Sequence, residues 1–187
     1  MAGDKFIESS YEKALIALFQ ELGYTYECGY DVERDYREPF YREVLEASLK
    51  RLNKRVSADI LAEGLKMVTN LNEGTLIQDN RRFTEMLQNG FAVPYLENGE
   101  NRTATLRLVD FEQPLANDFR IVNQWSVEEL GKIRCDMVVM INGLPLVVVE
   151  LKTASDENVT IEDAYLQIRN YMKKCPSLFG YNAFCVI

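Results

Sequence analysis

The sequence predicts an α/β fold, and three observations carry that expectation. Residues 137–141 and 144–149 are apolar, β-rich runs on either side of Asn142-Gly143. That pattern is the strongest short-range hairpin signal, because both turn residues tolerate positive φ. Residues 160–163 read Thr-Ile-Glu-Asp, a capping box that opens a helix after the hairpin. Helical periodicity dominates the first half of the chain and short apolar runs the second.

In chain order, residues 8–22 read as an amphipathic helix. Ser9 or Ser10 is its expected cap, Tyr11, Leu15, Leu18, Phe19 and Leu22 its buried side, and Gly23 its end. Glu12 sits at the edge of the buried side. It is either a first-turn acid favoured by the helix dipole or an acid leaning toward a functional site. Residues 24–28 read as a short strand, and residues 31–40 are charged and contain Pro39. Helical runs follow at residues 44–52, from Ser57 or Asp59 to residue 68, and at residues 79–88. Asn53, a turn at residues 70–74 and Asn89-Gly90 punctuate them. Residues from about 36 to 89 are therefore expected to be a helical insertion.

Strands are expected at residues 91–95, 103–109 and 119–125, with a turn at 98–102, and then comes the hairpin. Residues 156–158 read as a polar loop. The helix opened by the capping box runs to residue 174 and stops at Cys175-Pro176. Residues 178–181 read as a connector and residues 183–187 as a buried strand. The chain stops inside that strand, so residues 1–187 are expected to be one domain cut from a longer protein.

Composition narrows the chemistry. The chain has 187 residues, 47% hydrophobic and 27% charged, which is ordinary material for one globular domain. Its N-terminus lacks the apolar core of a signal peptide, and no run is long enough to span a membrane, so no membrane partner is expected. There is no histidine, and the four cysteines form no Cys-x-x-Cys. A zinc site or a Ser-His mechanism is therefore not expected, and the scattered thiols read as reduced, cytoplasmic cysteines. The net charge of −8 is the wrong sign for an independent nucleic-acid binder. Basic clusters at residues 50–55, 81–82, 132–134 and 169–174 are either solvated faces or phosphate contacts. If the substrate is DNA, most of the affinity comes from elsewhere.

The hairpin carries Asp136 on its first strand and Glu150 and Lys152 on its second. Glu150 and Lys152 share a face, because side chains alternate along a strand. A plain two-residue turn pairs Ile141 with Leu144 and sets Asp136 on the other face. A three-residue loop, or an equivalent bulge within a strand, brings all three charges together, and that arrangement is expected. Two carboxylates about 4 Å apart repel by roughly 4 kcal/mol at an effective dielectric of about 20. Protonating one acid or binding a cation relieves this, and Mg²⁺ suits two carboxylates plus waters. Lys152 would then orient an attacking water or neutralise a phosphorane-like transition state. The bland alternative is a solvated Glu and Lys at a strand end. On the last helix, Gln167 and Tyr171 lie four apart and share a face. They are either a core-edge pair or a polar pair aimed at the hairpin's charges.

Taken together, Asp136, Glu150-Leu151-Lys152 and Gln167-Ile-Arg-Asn-Tyr171 resemble the PD-(D/E)xK nuclease pattern, with the Gln-x-x-x-Tyr motif of its RecB-like branch. The surrounding residues 119–124, 142–146 and 178–182, and the Leu49-Lys-Arg-Leu-Asn53 segment, resemble the N-terminal endonuclease domain of the R (restriction and motor) subunit of type I restriction enzymes. The resemblance implies a restriction-endonuclease-like mixed sheet flanked by helices. It further implies Mg²⁺-dependent cleavage of double-stranded DNA, and partnership with methyltransferase and specificity subunits. An ATP-binding motor would lie further along the full chain. By the match, Asp136 and Glu150 hold metal, with Glu12 as a third acid. Lys152 is the catalytic lysine, and Gln167 and Tyr171 support it. Cys135 stands where the motif has proline. The rival expectation is a catalytically silent nuclease fold used for DNA docking or subunit assembly.

Overall fold

The computed structural model describes residues 2–71, 74–152 and 160–187, with side chains from residue 9 onward. The expected polar loop at residues 156–158 and part of the turn at 70–74 lie outside the described residues. The order is α1 (Ala2–Glu21), β1 (Thr25–Cys28), α2 (Arg42–Leu52), α3 (Ala58–Thr69), α4 (Leu76–Asn89), β2 (Phe91–Glu97), β3 (Glu100–Leu106), β4 (Phe119–Glu128), β5 (Lys132–Ile141), β6 (Leu144–Val149), α5 (Ile161–Lys174), α6 (Pro176–Gly180) and β7 (Phe184–Val186).

Five strands form one mixed sheet in the order β1-β4-β5-β6-β7. β1 runs parallel to β4 and β6 parallel to β7, while β4, β5 and β6 are mutually antiparallel neighbours. The sheet is covered on both faces, which is why its central strands read as nearly continuous apolar runs instead of alternating. On one face Ile121, Met137, Val139 and Val149 pack with Ile16 of α1. On the other, Val122, Val138, Met140 and Val148 pack with Ile168 and Tyr171 of α5 and Leu178 and Phe179 of α6. This is a restriction-endonuclease-like α/β fold.

The helical stretch α2–α4 and the separate β2–β3 hairpin build a second core around Leu45, Phe83, Val93 and Leu106. That core is sealed against the hairpin end of the sheet by Leu144 and Leu146. Asn142 ties the two parts together. Its side chain is fully buried. The amide nitrogen donates to Leu108 O and Asn117 Oδ1, each at 2.8 Å, and the amide oxygen accepts from Arg51 Nη2 and Asp118 N, each also at 2.8 Å. Asn142 and Gly143 both have positive φ, 53° and 80°, as a tight hairpin turn requires. A Cβ on Gly143 would lie 2.6 Å from Tyr41 O, so α2 approaches the turn only because glycine is there.

Several expectations need correction. α1 begins at Ala2, so Ser9 and Ser10 lie inside the helix and not at its N-cap, and Glu12 is not in the first turn. Of its expected buried side, Leu15 and Phe19 pack on the sheet, but Tyr11, Leu18 and Leu22 are at least half exposed. The periodicity found the helix but placed its stripe too wide, because one sheet face meets only a narrow arc of it. The connector at residues 178–181 is mostly helix α6. The closing strand is β7 at the sheet edge, with Phe184 58% exposed, so it is not buried. An apolar run cannot distinguish a central strand from an edge one.

Replacing Asn142 with alanine removes four hydrogen bonds and leaves the buried Leu108 carbonyl and Asp118 amide unpaired. It also forces a Cβ-bearing residue without a compensating side-chain bond into left-handed backbone. Asn142→Ala is expected to lose about 3–5 kcal/mol of stability, read as a lower urea midpoint. Asn142→Gly should recover only the backbone part, about 1 kcal/mol. Full recovery by glycine would show that the side-chain bonds contribute little.

Candidate active site

The turn is the plain two-residue form, with Ile141 paired to Leu144. The odd residue that the charges need lies in β6 instead. Met140 pairs with Pro145 and Val139 with Val147, so Leu146 is an unpaired bulge. Pro145 suits this position because it has no N–H to lose from the ladder. The freed Leu146 carbonyl accepts from Ala183 N at 2.8 Å and Asn182 Nδ2 at 3.2 Å. Beyond the bulge Met137 pairs with Val149, and the same register carries Asp136 opposite Glu150. The three-residue loop is therefore absent, and the strand bulge does its work.

A second irregularity lies on the other side of β5. Asn123 pairs with Met137 and Trp125 with Cys135, leaving Gln124 across from Asp136 with a left-handed φ of 53°. Strict alternation would send Trp125 to the face opposite Val122, yet both lie in the same core cluster. Asp136 thus occupies a point where the ladder breaks on both sides. Its Oδ2 accepts from Leu151 N at 2.8 Å, which ties the two hairpin strands at their open end.

Four of the expected side chains form one directional chain. Lys152 Nζ donates to Glu150 Oε1 and to Gln167 Oε1, both at 2.7 Å. Gln167 Nε2 donates to Tyr171 Oη at 2.7 Å, and Tyr171 Oη donates to Arg134 O at 3.0 Å. An ammonium only donates, so Gln167 must turn its oxygen to Lys152 and its nitrogen to Tyr171. The Tyr171 proton goes to the Arg134 carbonyl.

Glu150 is 2% exposed, and its Oε2 is buried without a hydrogen-bond partner among the described residues. Burial pushes its carboxyl above the ordinary value; the Lys152 ammonium opposes this, and the Asp136 charge adds to it. Burial likewise raises the Tyr171 phenol, which stays protonated as the donor role demands. Cys135 is fully buried against Trp125 and Cys175, and desolvation keeps it a thiol. It fills core space in place of proline and offers no ligand.

Glu12 accepts from Asn123 Nδ2, and Tyr26 Oη donates to Asn123 Oδ1 at 3.2 Å. Among the described residues no three acidic, cysteine or histidine side chains are grouped to hold a metal. Asn123, Gln124 and the Leu151 amide are site features that residue-by-residue reading missed. The polar pair Asn123-Gln124 inside an apolar strand was the available signal. A hard cation that prefers oxygen ligands would find Asp136 and the unpartnered Glu150 oxygen within this site.

Comparison with known proteins places the chain as a whole. The family model of the type I restriction enzyme R protein N terminus matches residues 5–187. A putative type I restriction enzyme MjaIXP endonuclease subunit of Methanocaldococcus jannaschii is 32% identical over 186 residues, covering 94% of this chain and 18% of that protein. The type I restriction enzyme HindI endonuclease subunit of Haemophilus influenzae is 31% identical over 190 residues, with 96% and 18% covered. The chain spans less than a fifth of the length of these two relatives.

Because its carboxyl is raised, Glu150 keeps its proton to higher pH in the folded protein than in the unfolded chain. That stabilisation is full below the ordinary carboxylate pKa and is lost as pH rises through the raised one. At neutral pH without divalent cations, Glu150→Gln is expected to melt higher, by about 2–4 °C for each kcal/mol of burial cost relieved. The glutamine oxygen still accepts from Lys152. A lower melting temperature would mean that the Lys152–Glu150 attraction outweighs desolvation.

Proposed function

The chain belongs to the family of type I restriction enzyme R protein N termini, and from that premise we propose that it is the DNA-cleaving module of its enzyme, hydrolysing phosphodiesters of double-stranded DNA with Mg²⁺. The observation that carries this reading is the buried, unpartnered Glu150 oxygen beside Asp136 and Lys152. A protein that used this end of the sheet only for packing would gain by a neutral residue there.

In this reading Asp136 and Glu150 hold the metal. A bound Mg²⁺ would polarise a phosphoryl oxygen and lower the pKa of a coordinated water. Among the described residues Lys152 is held by two oxygens, and the third donor of its ammonium would serve a phosphate or a water. Its charge is in place before the reaction, so it can offset the negative charge that grows on the phosphate without reorganisation. Gln167 and Tyr171 are positioning residues. They fix the Lys152 ammonium to α5, and through Arg134 O to the strand that carries Asp136. Glu12, which accepts from Asn123 beside the break in the ladder, would be a third acid on the α1 side. The methyltransferase and specificity subunits would bring this acidic module to DNA, and an ATP-driven motor would lie in the remainder of the R subunit.

In the intact R subunit assembled with its partners, Asp136→Ala and Lys152→Ala are each expected to lower duplex cleavage by about 100-fold or more. Undiminished cutting by both variants would leave only a docking role. Mg²⁺ should also raise the melting temperature of the wild-type protein, because it binds only the folded state, and should do so much less for Asp136→Ala. Equal shifts in the two proteins would place the cation elsewhere.

A further inference from the structure

At the turn end of the sheet, away from the candidate active site, the charge balance of this acidic protein reverses. A groove of about 1040 Å³ there is lined by Arg51, Lys54, Arg55 and Arg107, with Asp110 and Asp118 at its side. Both acids are already engaged. Asp118 is gripped by Arg120 at 2.7 and 3.1 Å. Asp110 accepts the amides of Glu112 and Gln113 at 3.0 and 2.9 Å. None of the four cations forms an ion pair among the described residues. Arg51 bonds only to neutral oxygens, Ala116 O, Ser48 Oγ and Asn142 Oδ1, at 3.0, 3.0 and 2.8 Å. Lys54, Arg55 and Arg107 are exposed.

The group is also rigidly built. Buried Asn53 pairs with both backbone groups of Arg107, accepting its N–H at 2.9 Å and donating to its carbonyl at 3.0 Å. That clamp holds Arg107 beside Lys54 and Arg55, in the loop after α2. Arg51 is fixed to the hairpin turn through Asn142. The cations therefore do not need to be ordered when a ligand arrives.

We propose that this groove is a second, non-catalytic contact for the phosphodiester backbone of duplex DNA. The identification of the polyanion as DNA rests on the nuclease reading above; the groove itself does not. No aromatic ring lines it, so it offers no stacking wall for a base or nucleotide. Six residues of strand separate Asp136 from Asn142, about 20 Å at roughly 3.3 Å per residue. Over that length a duplex presents about a dozen phosphates, at one charge per roughly 1.7 Å. One duplex can thus meet the cations at one end of the sheet and Lys152 at the other. Contacts to phosphates alone fix position without reading sequence.

The test is a salt series of equilibrium binding between random-sequence duplex and the intact R subunit, with chelator present to block cutting. Lys54→Ala/Arg55→Ala/Arg107→Ala is expected to weaken binding at low salt by about tenfold or more. It should also flatten the log K against log salt slope by about 2–3, at roughly 0.9 per phosphate contact. The charge-conserving Lys54→Arg/Arg55→Lys/Arg107→Lys protein should keep the wild-type slope. An unchanged slope in the alanine protein overturns the proposal. So does an equal loss in the charge-conserving protein, which would indicate a structural defect. Lost subunit assembly with normal DNA binding would assign the groove to a protein partner and also overturn it. Lys152→Ala should stop cleavage when Mg²⁺ is supplied, and in the chelator series should flatten the slope by no more than its single phosphate contact, about 0.9. If Lys152→Ala still cuts, the nuclease reading fails while the groove is judged on its own slope.

Discussion

The β5–β6 pairing has one residue more on β6 than on β5, and the candidate site depends on that excess. Leu146 has no partner across the ladder, so every β6 side chain beyond it changes sides relative to β5. Without the bulge, Asp136 would face Val149 and the two carboxylates would lie on opposite faces of the sheet. The bulge is held by its surroundings. Pro145 removes a donor, and Asn182 and Ala183 take up the freed carbonyl just before β7. The edge strand thus contributes to the site although it carries none of the expected residues. It also receives the Glu150 N–H through Val186 O at 2.9 Å.

Local order on one side of the site is matched by tension on the other. The Lys152–Gln167–Tyr171–Arg134 chain leaves no donor or acceptor in doubt. Glu150 sits at its end with one oxygen paired and the other bare. Fully satisfied polar networks rigidify a core, while an orphaned carboxylate oxygen costs free energy. Finding both within one cluster is what separates this site from an ordinary structural ion pair. The left-handed Gln124 opposite Asp136 adds a further local departure from regular strand.

The two ends of the sheet divide the labour. The turn end joins the sheet to the α2–α4 core through Asn142 and gathers cations that form no ion pair among the described residues. The open end gathers carboxylates around one lysine. Elsewhere the charges are mostly neutralised locally, as in Arg42 with Glu38 and Arg120 with Asp118 and Glu27. A net charge of −8 describes neither end.

The sequence by itself determined the α/β class, the Asn142-Gly143 hairpin, the capped helix α5 with Gln167 and Tyr171 on one face, and the absence of histidine chemistry. These are local properties of turn dihedrals, caps and periodicity, and they survive whatever the rest of the chain does. Parity arithmetic also showed that some odd residue had to exist between Asp136 and Glu150. Where it lay was decided only by tertiary structure, because a loop residue and a strand bulge satisfy the same count. The same holds for the exposed edge position of β7, the half-exposed stripe of α1 and the bond that ties Glu12 to Asn123. It holds also for the cations at residues 51–55, which meet Arg107 only because Asn53 clamps two distant segments. Each depends on which surfaces meet in space, and an isolated stretch of residues carries no record of its neighbours.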